Sequence, residues 1–468
     1  MRPHVALLVL ALASAALAAD APTLAERTRL IQLRGREPGA QSEFLSIPKA
    51  PGRAFDVGGW VTVANLDLHN DDKQDRTPDS TRALFLTDER VWFAGELSDT
   101  VEYYVRFRHQ KFSLDTAPGV TPTDLSQQEG FKLDQAFVDW RISKQIEARA
   151  GRQFAQVGRG LTLALDLDGA GVDYTDAQWH HRVFLGRSLD RDPGLDTSLP
   201  GFDRGLARHD FAFGESRLTA QNGNQIYLYA VAQRDDSRTS DALLARLPFH
   251  YDSNYFGFGS EGRLHPLLNY FAEAIGESGS TIQGTPRFLR VPISAYALTS
   301  GLQYYPRWGG HPQLTAELSM GSGDRERNSV TDTFGLGNPS PTTDNNFLYF
   351  GAYEGGLALS PRLSNLIVTR LGYSVKPLPR KSGELPQLVL GATASRYWKD
   401  EARGAISDTV ATLHSSDVGV GLDLYAGLRP FSDLSLYLQY GRFQPGDAYP
   451  VDSRNAADRL FLTATQSF

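Results

Sequence analysis

The chain has 468 residues, with 47 basic and 54 acidic side chains and a formal net charge of −7. Such a mildly acidic chain lacks the basic face that a nucleic-acid partner requires. It contains no cysteine, which excludes thiolate metal sites, a cysteine nucleophile and disulfide bonds.

The N-terminal segment has the pattern of a secretory signal peptide. Arg2 supplies a positive charge, Val5 to Leu17 is apolar and uncharged, and Ala16-Leu17-Ala18 is a small-x-small cleavage site. The apolar run is too short to span a membrane, and a polar segment follows it. The expected divisions of the chain are a signal peptide at 1–18, a periplasmic lead-in at 19–54 and a transmembrane domain at 55–468.

Alternation of apolar and polar residues recurs through the rest of the chain. Segment 101–108 places Val, Tyr, Val and Phe at odd positions and Glu, Tyr, Arg and Arg at even positions, and segments 388–395, 418–428 and 434–441 also alternate. Helices would show a period of 3.6 residues instead. Strands of a membrane barrel alternate between lipid-facing apolar residues and lumen-facing polar residues. The pattern therefore predicts β-strands that cross an outer membrane.

Connections between these segments alternate between short and long. Aromatic residues near the segment ends fit the girdles of a barrel and, taken alone, also the edges of a β-sandwich. The alternating connection lengths favour a barrel, which has short periplasmic turns and long extracellular loops. The predicted strands, eighteen in number, are 55–68, 83–97, 100–112, 132–143, 145–154, 171–179, 181–188, 207–221, 225–235, 255–264, 267–277, 293–305, 312–322, 365–377, 386–398, 417–430, 433–443 and 459–468.

The predicted fold class is all-β, a transmembrane outer-membrane β-barrel of about 18 antiparallel strands with both chain ends on the periplasmic side. A barrel of this size encloses an aqueous channel when nothing plugs it. We expect no cofactor, no metal site and no catalytic residues. His180-His181 falls in a predicted periplasmic turn without a third ligand at a suitable spacing. No nucleophile-and-base signature and no phosphate-binding loop occurs in the sequence.

Charged residues are expected to face the lumen on three adjacent strands, because a charge on the lipid face at mid-bilayer costs ~2–4 kcal/mol. These residues are Glu102, Arg106, Arg108, Asp139, Arg141, Glu147 and Arg149. Arginine binds carboxylates bidentately, and a row of weak sites permits both capture and release of a solute. Tyr104, Tyr425 and Tyr437 are placed to stack against sugar rings. Alternatively, each arginine belongs to a structural ladder with an acid across the strands, such as Arg106 with Glu102 or Asp139.

Several motifs resemble the alginate export porin family. The most specific is Gly441-Arg-Phe-Gln-Pro-Gly-Asp-Ala-Tyr449. The others, which keep the family's order along the chain, are Val138-Asp-Trp140, Gly151-Arg-Gln153, Asn269-Tyr-Phe271, Gly321-Ser-Gly323, Leu363-Ser-Asn-Leu366, Arg396-Tyr-Trp-Lys399 and Asp417-Val-Gly-Val-Gly-Leu-Asp-Leu424.

The resemblance implies an 18-stranded barrel that exports a polyuronate through an arginine-lined lumen. Arg90, Arg152, Asp139 and Asp423 match lumen positions of that family. The chain departs from the family where Tyr437 and Gln439 replace two arginines, where Met320 replaces an arginine, and where the turn Arg429 to Asp433 is short. Arg149 and Arg152 have opposite parity on one strand, so we expect Arg152 near the external rim.

The leading hypothesis is passive export of an anionic, alginate-like exopolysaccharide. Expected partners are the polysaccharide, outer-membrane lipid, a periplasmic scaffold, an inner-membrane synthase and the barrel-assembly machinery, with no nucleic acid. A second hypothesis is a substrate-selective uptake porin for small organic anions or oligosaccharides, and a third is an outer-membrane enzyme. A long loop folded into the lumen would favour the uptake porin, and Lys111 to Gln128 is the candidate loop. The other long loop, Gly321 to Ser364, is expected to be solvated.

Overall fold

The computed structural model describes residues 55–74, 81–116, 127–189, 206–238, 251–282, 289–307, 309–330, 339, 341–378 and 386–468. The predicted signal peptide and lead-in, 1–54, lie outside these residues. The described strands are β1 (Phe55–His69), β2 (Thr81–Ser98), β3 (Val101–Thr116), β4 (Gln127–Arg141), β5 (Ile146–Gln156), β6 (Ala164–Thr175), β7 (Trp179–Ser188), β8 (His209–Thr219), β9 (Gln225–Asp235), β10 (Tyr251–His265), β11 (Leu268–Ile282), β12 (Arg290–Tyr304), β13 (Gln313–Gly321), β14 (Leu366–Val375), β15 (Gln387–Trp398), β16 (Asp417–Arg429), β17 (Leu434–Pro445) and β18 (Ala457–Ser467).

These strands form one closed antiparallel sheet in which each strand pairs with the next along the chain. The barrel closes where β1 pairs with β18, with a register that runs from Trp60 opposite Ser467 to His69 opposite Asp458. Closure removes the two edges that an open sheet would expose to lipid, where unpaired backbone groups are costly. The predicted fold class and strand number are confirmed.

Two local predictions are wrong. His180 and His181 lie in β7 instead of a turn, and they point to opposite faces, where they bond Asp173 and Ser216. Strand β6 begins at Ala164, seven residues before the predicted start. Its first half inverts the barrel pattern, since Leu165 is buried inside while acidic residues point outward, and this inversion hid the strand in the sequence.

The outer surface carries the apolar residues expected beside lipid. Val183, Leu185, Phe256 and Phe258 are each about 60% exposed in the isolated chain, because only a bilayer would cover them. Across the described ranges, no helix has the length and apolar character needed to cross a membrane.

The inner surface of β6 to β12 differs from a simple water-filled lumen because it is packed with side chains. Phe213, Tyr229 and Tyr255 are at most 3% exposed and belong to a continuous apolar core. That core includes Phe347 and Phe350 from the connection between β13 and β14, residues 322–365, which we call the crossing loop. One side of the barrel interior is therefore filled.

Other extracellular connections bind each other across the mouth of the barrel. Lys73 Nζ lies 2.7 Å from Asp408 Oδ2, and the Tyr449 hydroxyl donates to the same oxygen at 2.9 Å. Burial and the neighbouring Asp408 carboxylate raise the pKa of Tyr449 well above its usual value, so this hydroxyl keeps its proton and remains a donor. The contacts join the β1–β2, β15–β16 and β17–β18 connections.

Candidate functional site

Three arginines on β2 and β3 share two carboxylates on the inner wall. Arg108 binds Asp88 bidentately, with both nitrogen–oxygen distances 2.9 Å, and Arg90 binds the same carboxylate at 3.0 and 3.2 Å. Asp134 accepts from Arg106 at 2.6 Å and from Arg90 at 3.2 Å. The shared carboxylates hold the guanidinium planes in place and cancel most of their charge.

A second set of ion pairs continues toward the periplasmic end of the wall. Arg149 binds Asp139 at 2.5 and 2.9 Å, and its guanidinium lies 4.4 Å from the centre of the Phe137 ring. Arg141 binds Glu102 at 3.2 Å. The five arginines Arg90, Arg106, Arg108, Arg141 and Arg149 thus all face inward and all have acidic partners, as in the ladder alternative. The partner of Arg106 is Asp134 instead of Glu102 or Asp139.

Arg152 does not lie in the lumen, although the resemblance placed it among the conducting residues. It pairs in register with Ala136 and Asp168, on the same outward face as Val138. Its guanidinium binds the Asp168 carboxylate at 2.8 and 3.0 Å. Gly151 has a φ of +128°, yet the register across β5 stays regular, so the opposite parity of Arg149 and Arg152 persists.

The remaining predicted lumen residues lie on strands β3, β16 and β17. Tyr104 stacks between Trp92 and Phe137, with ring centres 6.2 and 5.2 Å apart. Tyr425 stacks on Tyr437 at 6.3 Å, and the Tyr437 hydroxyl donates to Gln439 Oε1 at 3.0 Å. Asp423 also faces inward, but it is 5% exposed because Leu357 of the crossing loop donates its backbone N–H to the carboxylate at 2.9 Å.

The first half of the crossing loop is anchored on one side of the barrel. Asp344 forms a parallel bridge with Ile293 of β12. Leu348 donates its N–H to buried Glu277 of β11 at 3.0 Å and accepts from the Tyr255 hydroxyl at 2.8 Å. Phe350 bridges to Leu163, directly before β6.

The second half of the crossing loop is anchored on the opposite side. Arg370 of β14 donates to the Glu354 carbonyl at 2.8 Å, and the Tyr397 hydroxyl of β15 donates to the Gly355 carbonyl at 2.5 Å. Arg459 of β18 donates to the Leu357 carbonyl at 3.2 Å. The β5–β6 connection meets the crossing loop inside the lumen, because Ala352 donates its N–H to the Gly160 carbonyl at 2.8 Å and the Thr162 hydroxyl bonds the Tyr229 hydroxyl of β9 at 2.7 Å. The crossing loop and this connection together bridge the lumen.

Because the inner face of β6 to β12 is packed, the described residues leave space for a passage only along the remaining wall, which includes β16 to β18 and β1 to β5. The expectation of a solvated loop between Gly321 and Ser364 is wrong, and the loop's acidic and glycine-rich ends explain the error. The apolar run Phe347-Leu-Tyr-Phe-Gly-Ala-Tyr353 was the available signal for burial. Of the candidate loop Lys111 to Gln128, residues 117–126 lie outside the described part of the chain, and the flanking residues belong to β3 and β4.

A buried ion pair holds the entry to the crossing loop. Arg327 Nε lies 3.1 Å from Asp344 Oδ2, and the two side chains are 1% and 0% exposed. Burial raises the pKa of the Asp344 carboxyl, and the Arg327 charge opposes that rise.

The Asp344→Ala substitution will release the crossing loop from the wall. Removing one partner leaves the Arg327 charge buried and unpaired, which costs about 3–5 kcal/mol. Limited proteolysis of the folded protein should then cut within 322–365 many times faster than in the unsubstituted chain. The matched control is Arg325→Ala, since Arg325 is 67% exposed, and its cleavage rate should not change. Equal rates for both variants would contradict the anchoring role.

Comparisons with known proteins place this barrel in a family. A family model described as alginate export matches residues 67–463. The chain belongs to the alginate export family. Membership of the alginate export family and the closed barrel place the protein in the bacterial outer membrane, where it forms a channel. No curated protein matches the chain in a sequence search.

Solved structures with a similar fold come from Pseudomonas aeruginosa, and one of them is the outer membrane protein OpdK. OpdK, solved with vanillate, superposes with a TM-score of 0.52 at 10% identity, covering 88% of this chain and 98% of that chain. A second structure of OpdK gives a TM-score of 0.51 at 11% identity, with coverages of 88% and 99%. OccD3 (OpdP) gives 0.48 at 14% identity, with coverages of 90% and 93%. At these identities the likeness is one of fold.

Proposed function

We propose that this member of the alginate export family is a selective channel for small carboxylated solutes. The single observation that carries the proposal is the crossing loop, which meets the β5–β6 connection inside the lumen at Phe350 and is bonded to β15 at Gly355. A lumen divided in this way leaves a narrow passage along one wall. Narrow passages select solutes by size and by contact with the wall.

The passage wall can bind carboxylated solutes because it offers hydrogen-bond donors, and not because it carries a large net charge. Arg90, Arg106 and Arg149 are fixed by Asp134 and Asp139, yet each guanidinium has more N–H donors than these ion pairs use. A solute carboxylate can exchange with these partners along the row without meeting a deep electrostatic trap. The expected selectivity for anions is therefore mild.

Export of an anionic polysaccharide is the second candidate, and membership of the alginate export family favours it. An inner-membrane synthase and a periplasmic scaffold would then be partners, because the outer membrane offers no nucleotide energy. A single extended polymer would have to pass beside the crossing loop. The two candidates differ in whether a long polyuronate enters the lumen at all.

The deciding experiment measures ion current through single channels in planar bilayers. Added glucuronate should produce concentration-dependent block from either side, whereas polymannuronate should leave the current unchanged. A neutral oligosaccharide serves as the control for non-specific occlusion. Block by the polymer at a lower uronate concentration than by the monomer would reject the small-solute channel in favour of polysaccharide export.

A further inference from the structure

An arc of aromatic rings lies on the inner wall away from the packed side of the lumen. Seven consecutive strands, β16 to β18 and β1 to β4, each contribute an inward ring, of which Phe461, Trp60 and Tyr104 are buried at 0%, 7% and 6% exposure. The rings are Tyr425, Tyr437, Phe461, Trp60, Trp92, Tyr104 and Phe137. Four of them, Trp60, Trp92, Phe137 and Phe461, were not among the residues predicted from the sequence.

Most of the rings lie at similar heights in the barrel; the exception is Phe461, which pairs with Leu66, six residues along β1 from Trp60. Counted along each strand from its periplasmic end, every ring lies three to six residues inside. Tyr104, for example, is three residues from Val101, and Trp92 is six residues from Ser98. Three residues of strand correspond to about 10 Å, so the arc is a belt near the periplasmic third of the lumen.

Several rings lie flat on the wall. Tyr425 pairs in register with Gly391, and Trp92 pairs with Gly58. A methyl group added at either glycine would overlap the ring, so each ring rests on the neighbouring backbone. Such packing shields the glycine backbone. It also turns the other ring face toward the lumen, and Trp92, Phe137, Tyr425 and Tyr437 retain partial exposure.

Guanidinium groups border the rings. Arg90 and Arg106 each lie 5.5 Å from the centre of the Trp60 ring, and Arg149 lies 4.4 Å from that of Phe137. A flat apolar face beside a planar donor matches a pyranose ring that bears a carboxylate. The ring's C–H face would contact the aromatic carbons while the carboxylate binds arginine.

We propose that this aromatic arc selects ring-shaped solutes over open-chain solutes of equal charge and size. The inference rests on the proposed function, since the solute must enter the lumen, and adds ring shape as the second criterion. It assigns the exposed faces of Trp92, Phe137, Tyr425 and Tyr437 as the surfaces on which a carboxylated pyranose stacks.

The test compares glucuronate with gluconate, which share six carbons and one carboxylate but differ in the ring. The dissociation constant of each is taken from concentration-dependent block of single-channel current. We expect glucuronate to bind more tightly by on the order of fivefold, the range given by aromatic stacking. Equal dissociation constants would overturn the arc as a selector while leaving the small-solute channel in place. No block by either solute would overturn both.

Substitutions test whether the aromatic rings cause the preference for glucuronate. Trp92→Leu should reduce the preference for glucuronate, and its matched control is Phe93→Leu, whose side chain is 37% exposed on the outer face of the same strand. Gly391→Ala, which displaces the Tyr425 ring without removing it, should act in the same direction as Trp92→Leu. Potassium chloride conductance reports that each variant forms an open barrel. An unchanged preference in both lumen variants would overturn the proposal.

Discussion

Deletion of residues 324–363 will raise the single-channel conductance, by on the order of threefold given the wide lumen of an 18-stranded barrel. The deletion joins Ser322-Gly323 to Ser364-Asn365, and Gly321 already pairs with Leu366, so a four-residue connection closes the β13–β14 hairpin without strain. Glu277 and Asp423 lose their loop partners but meet water, in which a carboxylate is well solvated.

Conductance in symmetrical potassium chloride and exclusion of polyethylene glycols of graded size measure this effect. The deletion should admit larger polymers than the full-length chain admits, and polymannuronate should begin to block the current. The Arg325→Ala variant is the control, because its side chain is exposed and the loop remains in place. An unchanged conductance would show that the narrowest part of the channel is formed elsewhere.

The Asp134→Asn substitution will shift the channel toward anions. Asp134 is the shared acceptor of Arg90 and Arg106, and its side chain is 10% exposed. Without this charge, the guanidinium groups of Arg90 and Arg106 lose the carboxylate that they share on the passage wall. The anion-to-cation permeability ratio should rise by on the order of threefold, the effect of one partly screened charge at close range.

The reversal potential in a potassium chloride gradient measures that ratio. Glu89→Gln is the matched control, because Glu89 lies next to Arg90 in sequence but on the outer face of β2, 44% exposed. Its permeability ratio should match that of the unsubstituted protein. The reverse change, Arg106→Glu with Arg108→Glu, should move the ratio toward cations. A ratio unaffected by either lumen change would mean that permeating ions do not pass this wall.

The sequence predicted the arginines of this wall but not all of their acidic partners. Alternation predicted that Arg106, Arg108 and Arg149 face inward, and the register places them on the inner face. That they line a conducting path stays a prediction. Asp134 was not predicted as a lumen residue, because a bulge shifts the β3–β4 register between Arg106 and Phe107. The bulge brings the Asp134 carboxylate to the inner face, against the alternation of the strand. Such a bulge leaves no periodic trace in a single sequence.

The sequence by itself determined the barrel, because each strand's alternation is local and the bilayer demands apolar residues outside and tolerates polar ones inside. It also determined the strand number and the inward face of most charged residues. The tertiary structure decided what fills the lumen. Phe347 to Tyr353 could have packed anywhere, and only the positions of Glu277, Leu163 and Tyr397, far apart in sequence, hold that segment inside the lumen. The aromatic arc is likewise a property of closure, since the rings of β16 to β18 and those of β1 to β4 belong to one wall only when β18 pairs with β1.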